Sequence, residues 1–305
     1  MKTEAYSPGL EGVIAGITHV SNVDPDRQSL MYRGYDIRDL SEHSTFEEVA
    51  FLLLHEALPT QSELDQFKKT LVAERTVPAS VVEVLKHFPS TAHPMDLLRS
   101  AVAVLALHDP EVEDNSKAAN IRKAVRLTAK IPTLIAISYR LGQGQPIIEP
   151  DASLTHAENF LYMLNGTKPD PFIARIMDMS LICYAEHGFN ASTFSARVTA
   201  STLSDLHSAI VSAIGTLKGP LHGGANEEAM KMLLEVKTPE NAEHWIKDAL
   251  ATKKKIMGFG HREYKSGDPR AAILSEQGRL LGERLGQPQW AQMAATIEDV
   301  MLKEK

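Results

Sequence analysis

Residues 258–270 read GFGHREYKSGDPR, and the way this stretch ends decides how the rest of the chain is read. Asp268-Pro269 is a helix start. The aspartate offers a side-chain oxygen to the free N–H groups of a first turn, and proline, with no N–H to lose, fits the first helical position. Arg270 then stands in that first turn, where a guanidinium, unpaired backbone N–H groups and the helix dipole all favour an anion. His261 precedes it by nine residues, behind two glycines that let backbone approach a ligand closely. The stretch therefore predicts both a helix and an acid-binding pocket at its mouth.

The same start signal recurs along the chain. Pro78, Pro94, Pro171, Pro239 and Pro288 each stand where a first helical residue would, and each precedes an amphipathic or largely apolar segment. A helical period begins with Phe46, Val49, Ala50, Leu53 and Leu54, with Pro59 as its stop, and Thr60 with Glu63 forms a capping box for the next helix. Pro132 interrupts a helical run over 118–141, predicting a kink or break there and a stop at Gly142. Only residues 12–37 read as β, with strands over 13–20 and 29–35 joined by the turn Asp24-Pro25-Asp26. The fold class is thus mainly α, with a small N-terminal β-hairpin region. The glycine-rich loop 219–224 is the best boundary, dividing the chain into residues 1–222 and 223–305.

Composition narrows the function. The 305 residues suffice for a large core and two domains. The 32 basic and 39 acidic side chains leave a net charge of −7, which provides no general field for nucleic acid, so an anionic ligand must be attracted locally. Cys183 is the single cysteine and lies in an apolar run, which excludes a disulfide framework and a cysteine metal cluster and points to a reducing compartment. With no apolar leader and no apolar run of spanning length, the expectation is a soluble, cytoplasmic protein. The segments 96–107, 171–185 and 206–217 carry few charges and are candidates for central helices or a subunit interface.

Of the 12 histidines, nine have surroundings that call for nothing beyond a structural or solvated role. His187 is read as the end of the helix that starts at Pro171, with Gly188 as its left-handed cap and a polar tail, Asn190-Ala191-Ser192-Thr193, behind it. His222 lies in GPLHGGAN, residues 219–226, a loop whose glycines suit close approach of a ligand. His261 has Arg270 nearby. The sequence contains no Gly-x-Ser-x-Gly elbow, no complete dinucleotide fingerprint and no Walker-type loop, and His55-Glu56 lacks the second histidine of a zinc-protease helix. Spacing leaves a zinc site built from the three histidines open as the chemical rival.

Taken together, EHGFNASTF over 186–194, GPLHGGAN over 219–226 and GFGHREYKSGDPR over 258–270 resemble the three active-site motifs of the citrate synthase family in order, with the histidines 35 and 39 residues apart. GLEGV over 9–13 and YRGYDI over 32–37 are similar to the start of the family's shorter prokaryotic form. The resemblance implies a large and a small helical domain with substrates in the cleft between them, oxaloacetate binding first and closing the small domain over acetyl-CoA. It implies that His187 and Asn190 contact oxaloacetate, that Arg270 pairs with one of its carboxylates, and that His261 polarises the ketone under attack. His222 is similar to the residue that donates to the thioester oxygen and stabilises the enol, while the backbone of Ile256, Met257 and Gly258, with Lys265, would meet CoA. No cofactor and no metal are implied beyond acetyl-CoA as substrate, and the expected assembly is a homodimer, with no nucleic-acid or membrane partner.

Two departures stand out. The family's base is an aspartate in an Asn-Val-Asp-Phe-Tyr-like motif that does not occur in these residues, which implies that the 305 residues alone do not turn over substrate. Glu263 stands where the family has a β-branched apolar residue and would favour an imidazolium at His261 if it pointed inward. Two rivals follow: 2-methylcitrate synthase, which uses propionyl-CoA on the same scaffold, and a non-catalytic assembly protein that keeps the fold.

Overall fold

The structure is a computed structural model that describes residue 7 and residues 12–24, 26–259, 264 and 267–304. His261, Glu263 and Lys265 lie outside the described residues. Three short strands, β1 (Ser21–Asp24), β2 (Ser29–Tyr32) and β3 (Tyr35–Asp36), form an antiparallel meander in the order β1-β2-β3. Ser21 faces Tyr32 and Asp24 faces Ser29, while Met31 faces Asp36. The β1–β2 turn is closed by Asp24 Oδ1, which accepts from the backbone N–H groups of Asp26 and Arg27 at 3.1 Å each. The sequence reading placed the first strand over 13–20. Instead Val13, Ile14 and Ile17 are exposed, because the alternation that resembles a strand has, among the described residues, no partner strand to bury one of its faces.

Helices make up the rest: α1 (Ile37–His43), α2 (Phe46–His55), α3 (Gln61–Ala73), α4 (Ala79–Lys86), α5 (Pro94–Ala106), α6 (Lys117–Gly142), α7 (His156–Asn165), α8 (Pro171–Tyr184), α9 (Ala191–Ser201), α10 (Leu206–Leu217), α11 (Ala225–Val236), α12 (Pro239–Ala251), α13 (Pro269–Arg284) and α14 (Gln289–Glu304). The capping box of Thr60 and Glu63 is present, and Asp268 caps α13 by accepting from Arg270 N. Pro94, Pro171, Pro239 and Pro269 occupy first helical positions. Pro78 and Pro288 sit one residue earlier, where their carbonyls accept from Val82 N and Gln292 N. Pro59 does not end α2; Glu56 does, in a left-handed conformation. Pro132 does not interrupt the 26-residue α6. A proline costs about 3 kcal/mol inside a helix, and the burial of Thr133, Leu134, Ala136 and Ile137 immediately after it offsets that cost.

Four hydrophobic clusters position the site. Leu30, Tyr32, Ile37, Leu40, Val49, Leu52, Ile182 and Cys183 unite the small sheet with α1, α2 and α8, and Ile273 and Leu274 of α13 pack against them. Val81, Ala101, Leu105, Leu134 and Ile214 join α4, α5, α6 and α10, while Phe67, Leu71, Val125 and Ala129 join α3 to α6. Met232, Val236, Ile246, Ile256, Met293 and Ile297 form a core of their own from α11, α12 and α14. The last cluster shares no residue with the others, and α13 carries the contact between it and the sheet side. Among the described residues no helix is long and apolar enough to cross a membrane.

Candidate active site

The site begins at the end of α8. The helix closes at Tyr184 with Ala185 as its cap, so His187 is two residues past the cap rather than at the last helical position. Gly188 does take the left-handed conformation, with φ of +62°. The turn is tied to the sheet: Ser21 Oγ donates to Glu186 Oε1 at 3.0 Å, and Gly188 N–H reaches both Ser21 Oγ at 2.9 Å and Glu186 Oε1 at 2.5 Å. Tyr32 adds a buried hydroxyl that donates to the carbonyls of Ile182 and Cys183 and accepts from Glu186 N–H. Burial pushes the Glu186 carboxyl and the Cys183 thiol up, the latter to about 11. His187 leaves this anchored turn and meets a residue the sequence reading had passed over. Its Nε2 lies 2.9 Å from the Tyr264 hydroxyl, and the two rings are in edge contact at 5.3 Å between centroids.

Asn190 caps α9. Its Oδ1 accepts from Ser192 N and Thr193 N at 3.0 and 3.1 Å, and its Nδ2 donates to Thr193 Oγ1 at 3.0 Å. Cap formation therefore engages the carbonyl oxygen of Asn190 and one amide N–H, leaving the second N–H as the group that can face an acid. Ser192, in the first turn of α9, holds His222. Its hydroxyl is 2.7 Å from His222 Nε2, its backbone N–H points to the same nitrogen at 3.3 Å, and Oγ is also 3.0 Å from the carbonyl of Ala213. The contacts on Nε2 pull in two directions: the backbone N–H of Ser192 only donates and needs Nε2 as an acceptor, whereas a hydroxyl that gives its one proton to the Ala213 carbonyl needs Nε2–H as a donor. The tautomer with the ring proton on Nδ1 is the one that satisfies the backbone N–H. Burial lowers the pKa of this imidazole, which favours the same neutral form. His222 is thus a ring that burial favours as neutral, with Nε2 held by Ser192 and Nδ1 on its other edge.

The glycines around His222 have a different reason from the one the sequence suggested. A Cβ on Gly223 would come within 2.4–2.7 Å of Leu217, and one on Gly224 within 2.5 Å of the Lys218 carbonyl. The loop folds back on the end of α10, with Gly224 N–H bonded to Leu217 O and His222 N–H to Gly219 O. These glycines permit close packing of the chain on itself rather than exposing backbone to a ligand.

Arg270, in the first turn of α13, is largely buried and paired with its own cap residue. Nε donates to both carboxylate oxygens of Asp268, at 3.0 and 3.1 Å, and Nη2 donates to Oδ2 at 2.6 Å. Burial alone would raise Asp268 and lower Arg270. The hydrogen bonds and charges of the pair outweigh burial, lowering the carboxyl and raising the guanidinium. Arg270 also lies within electrostatic reach of the Tyr264 and Tyr32 phenols, and Asp268 within reach of His187. His187, Tyr264, Asp268 and Arg270 are therefore near neighbours, and Asn190, Ser192 and His222 meet at the start of α9. Of the segment expected to meet CoA, Ile256 has its side chain in the α11–α12–α14 core, Met257 is half-buried and Gly258 is exposed with φ of +91°. Among the described residues no group of three His, Cys, Asp or Glu side chains converges as a metal site.

The comparisons with known proteins follow this geometry. The family model described as "Citrate synthase, C-terminal domain" matches residues 9–305. The chain belongs to the citrate synthase family. It is 48% identical over 298 residues to "Citrate synthase 2" of Bacillus subtilis (strain 168), covering 97% of this chain and 80% of that relative. A "2-methylcitrate synthase" of Mycobacterium tuberculosis is 45% identical over 296 residues, covering 97% of this chain and 74% of that protein. The crystal structure of citrate synthase from Thermotoga maritima superposes with a TM-score of 0.86 at 38% identity, over 97% of this chain and 78% of that one. A ternary complex of citrate synthase from Thermoplasma acidophilum with carboxymethyl coenzyme A and oxaloacetate gives a TM-score of 0.94 at 32% identity, over 99% of this chain and 80% of that one. The mainly helical fold and the acyltransferase class of a citrate synthase, both expected from the motifs, are in agreement with these matches.

Sequence reasoning missed Ser192, Tyr264 and the Asp268–Arg270 pair as site features. Ser192 and Tyr264 lie inside quoted motifs, but nothing in their spacing distinguishes a hydroxyl that bonds a histidine 30 or 77 residues away from one that faces solvent.

Proposed function

We propose that the cleft between His187, His222 and Arg270 condenses oxaloacetate with acetyl-CoA to citrate. The observation that carries this reading is the state of His222. A thioester α-proton is a weak acid, and its removal needs a hydrogen-bond donor at the oxygen where negative charge develops. A neutral imidazole whose Nε2 is already occupied by Ser192 has its Nδ1–H available for that oxygen, and it needs no reorganisation to act. In this reading Arg270 binds one oxaloacetate carboxylate, and His187 with the Asn190 amide nitrogen meets the same molecule. His261 is assigned the ketone oxygen and Lys265 the CoA, both from the motif alone. The required base is a separate carboxylate. Glu186 and Asp268, the acids beside the site, are committed to Ser21 with Gly188 and to Arg270, so neither is assigned that role.

Acetyl-CoA is preferred over propionyl-CoA in this proposal because the 48% relative is a citrate synthase and the 2-methylcitrate synthase relative is at 45%, a difference that product analysis must test. With a chain that carries the base carboxylate, oxaloacetate and equal concentrations of the two thioesters, citrate should dominate by mass spectrometry, and an excess of 2-methylcitrate would overturn the acyl assignment. Oxaloacetate binding is read separately by calorimetry, since it does not require the base, and a non-catalytic scaffold should show none.

The proposal includes a homodimer. No residue of α9 is buried, and Phe194 and Val198 on it, with Leu203 just beyond, are exposed. Together with α10 they form an apolar face of the kind that symmetric association covers. Sedimentation should give twice the chain mass, and a Val198→Glu variant should shift it to the monomer.

A further inference from the structure

Tyr264 has a place in this site that the assigned roles do not use. It is only 7% exposed, although it comes from the segment between Gly258 and α13 rather than from a helix. Its hydroxyl reaches His187 Nε2 at 2.9 Å and its ring lies against the edge of the imidazole at 66° between planes. The turn around His187 is held by the bonds of Glu186 and Gly188 to Ser21, and Tyr264 acts on the rotation of its ring. A packed aromatic edge and a hydrogen bond at one specified nitrogen restrict that rotation.

We propose that Tyr264 is a positioning residue for the dicarboxylate substrate, setting the ring orientation of His187 and tying the segment that leads into Arg270 to the turn after α8. Tyr264 and Arg270 belong to the same short run of chain, while His187 belongs to the end of α8. A ligand gripped by Arg270 and His187 together therefore depends on the hydroxyl that spans the two. The proximity of the phenol to the Arg270 guanidinium is in keeping with this arrangement. The inference rests on the reading of this space as the oxaloacetate site.

The experiment is calorimetric titration of the 305-residue protein and its Tyr264→Phe variant with oxaloacetate. The variant keeps the ring packing and removes one hydrogen bond, so its melting temperature should stay within ~2 °C of wild type while oxaloacetate binds about 5–20-fold more weakly. The imidazole ¹⁵N signals of His187 should shift in the same variant, which loss of packing elsewhere would not produce. A double-mutant cycle with His187→Ala covers the case in which the variant is also less stable. If the hydroxyl acts through His187, the two losses do not add. Additive losses, or wild-type affinity in Y264F, would overturn the role of Tyr264 alone. Wild-type protein that does not bind oxaloacetate would overturn the site reading itself and the proposal with it.

Discussion

Replacing Arg270 by lysine keeps the charge and removes the planar fork, which makes it the sharpest perturbation of the substrate end of the site. The guanidinium has five N–H donors. Asp268 takes the Nε–H and one Nη2–H along one edge, leaving the end formed by Nη1 and the second Nη2–H for another carboxylate. The pair thus orients the arginine without filling it. An ammonium has three donors on a single nitrogen and cannot hold the cap residue and offer a second carboxylate two parallel bonds at once. Losing one charge-assisted hydrogen bond in a largely desolvated place costs about 1.5–3 kcal/mol, and at about 1.4 kcal/mol per decade the affinity should fall roughly 10–150-fold. Calorimetric titration with oxaloacetate measures this directly, with circular dichroism as the control that α13 remains. An R270K variant that bound within threefold of wild type would refute the assignment of Arg270 to a substrate carboxylate.

Three further outcomes follow from the structure. Ser192→Ala leaves His222 Nε2 with only the longer backbone bond and should destabilise the protein by about 1 kcal/mol, with a shift of the His222 imidazole ¹⁵N resonances; unchanged resonances would contradict the hydroxyl bond. Ile246→Ala removes a fully buried side chain from the core of α11, α12 and α14 and should cost about 2–5 kcal/mol in denaturant unfolding, with hydrogen exchange accelerated first in those helices. His156 is held at about 4, against an ordinary 6.5, by burial first and by the charge of Arg75 second. The unfolded chain therefore binds more protons than the native one between these values. Stability is unaffected by this group above 6.5 and is lost as pH falls towards 4, at up to about 1.4 kcal/mol per pH unit and about 3 kcal/mol in all. Melting curves of wild type and His156→Leu over that window should diverge in slope, and parallel slopes would refute the assignment.

Helix identity was legible because it rests on local chemistry. Asp268-Pro269 and the Thr60–Glu63 box act within four residues, and both are found as read. What failed were inferences that depend on distant partners. The segment 13–20 has no partner strand among the described residues, and Pro132 is tolerated because the tertiary burial of the residues after it outweighs a local penalty. The site divides in the same way. His187, Asn190, His222 and Arg270 were named as a group from their motifs; the structure joins His187 to Tyr264, Asn190 and His222 to the start of α9, and Arg270 to Asp268. Which atoms of three of them are already engaged was not identifiable: Asn190 gives its oxygen to a cap, His222 has Nε2 against Ser192, and Arg270 gives one edge to Asp268. The glycines of 219–224 illustrate the limit. Sequence assigns them to ligand approach, whereas Leu217 and the carbonyls of Leu217 and Lys218 are what exclude a Cβ there.

An apolar cavity of about 480 Å³ between α2, α3 and α6, lined by Phe51, Phe67, Ile121 and Val125 among others, shares no residue with this site and sets up the decisive contrast. The structure of the protein crystallised with oxaloacetate tests the central claim most directly. The account predicts one carboxylate on the Nη1–Nη2 end of Arg270 and the ligand within hydrogen-bond distance of His187. Oxaloacetate seated away from both residues, in that cavity or elsewhere, would contradict it.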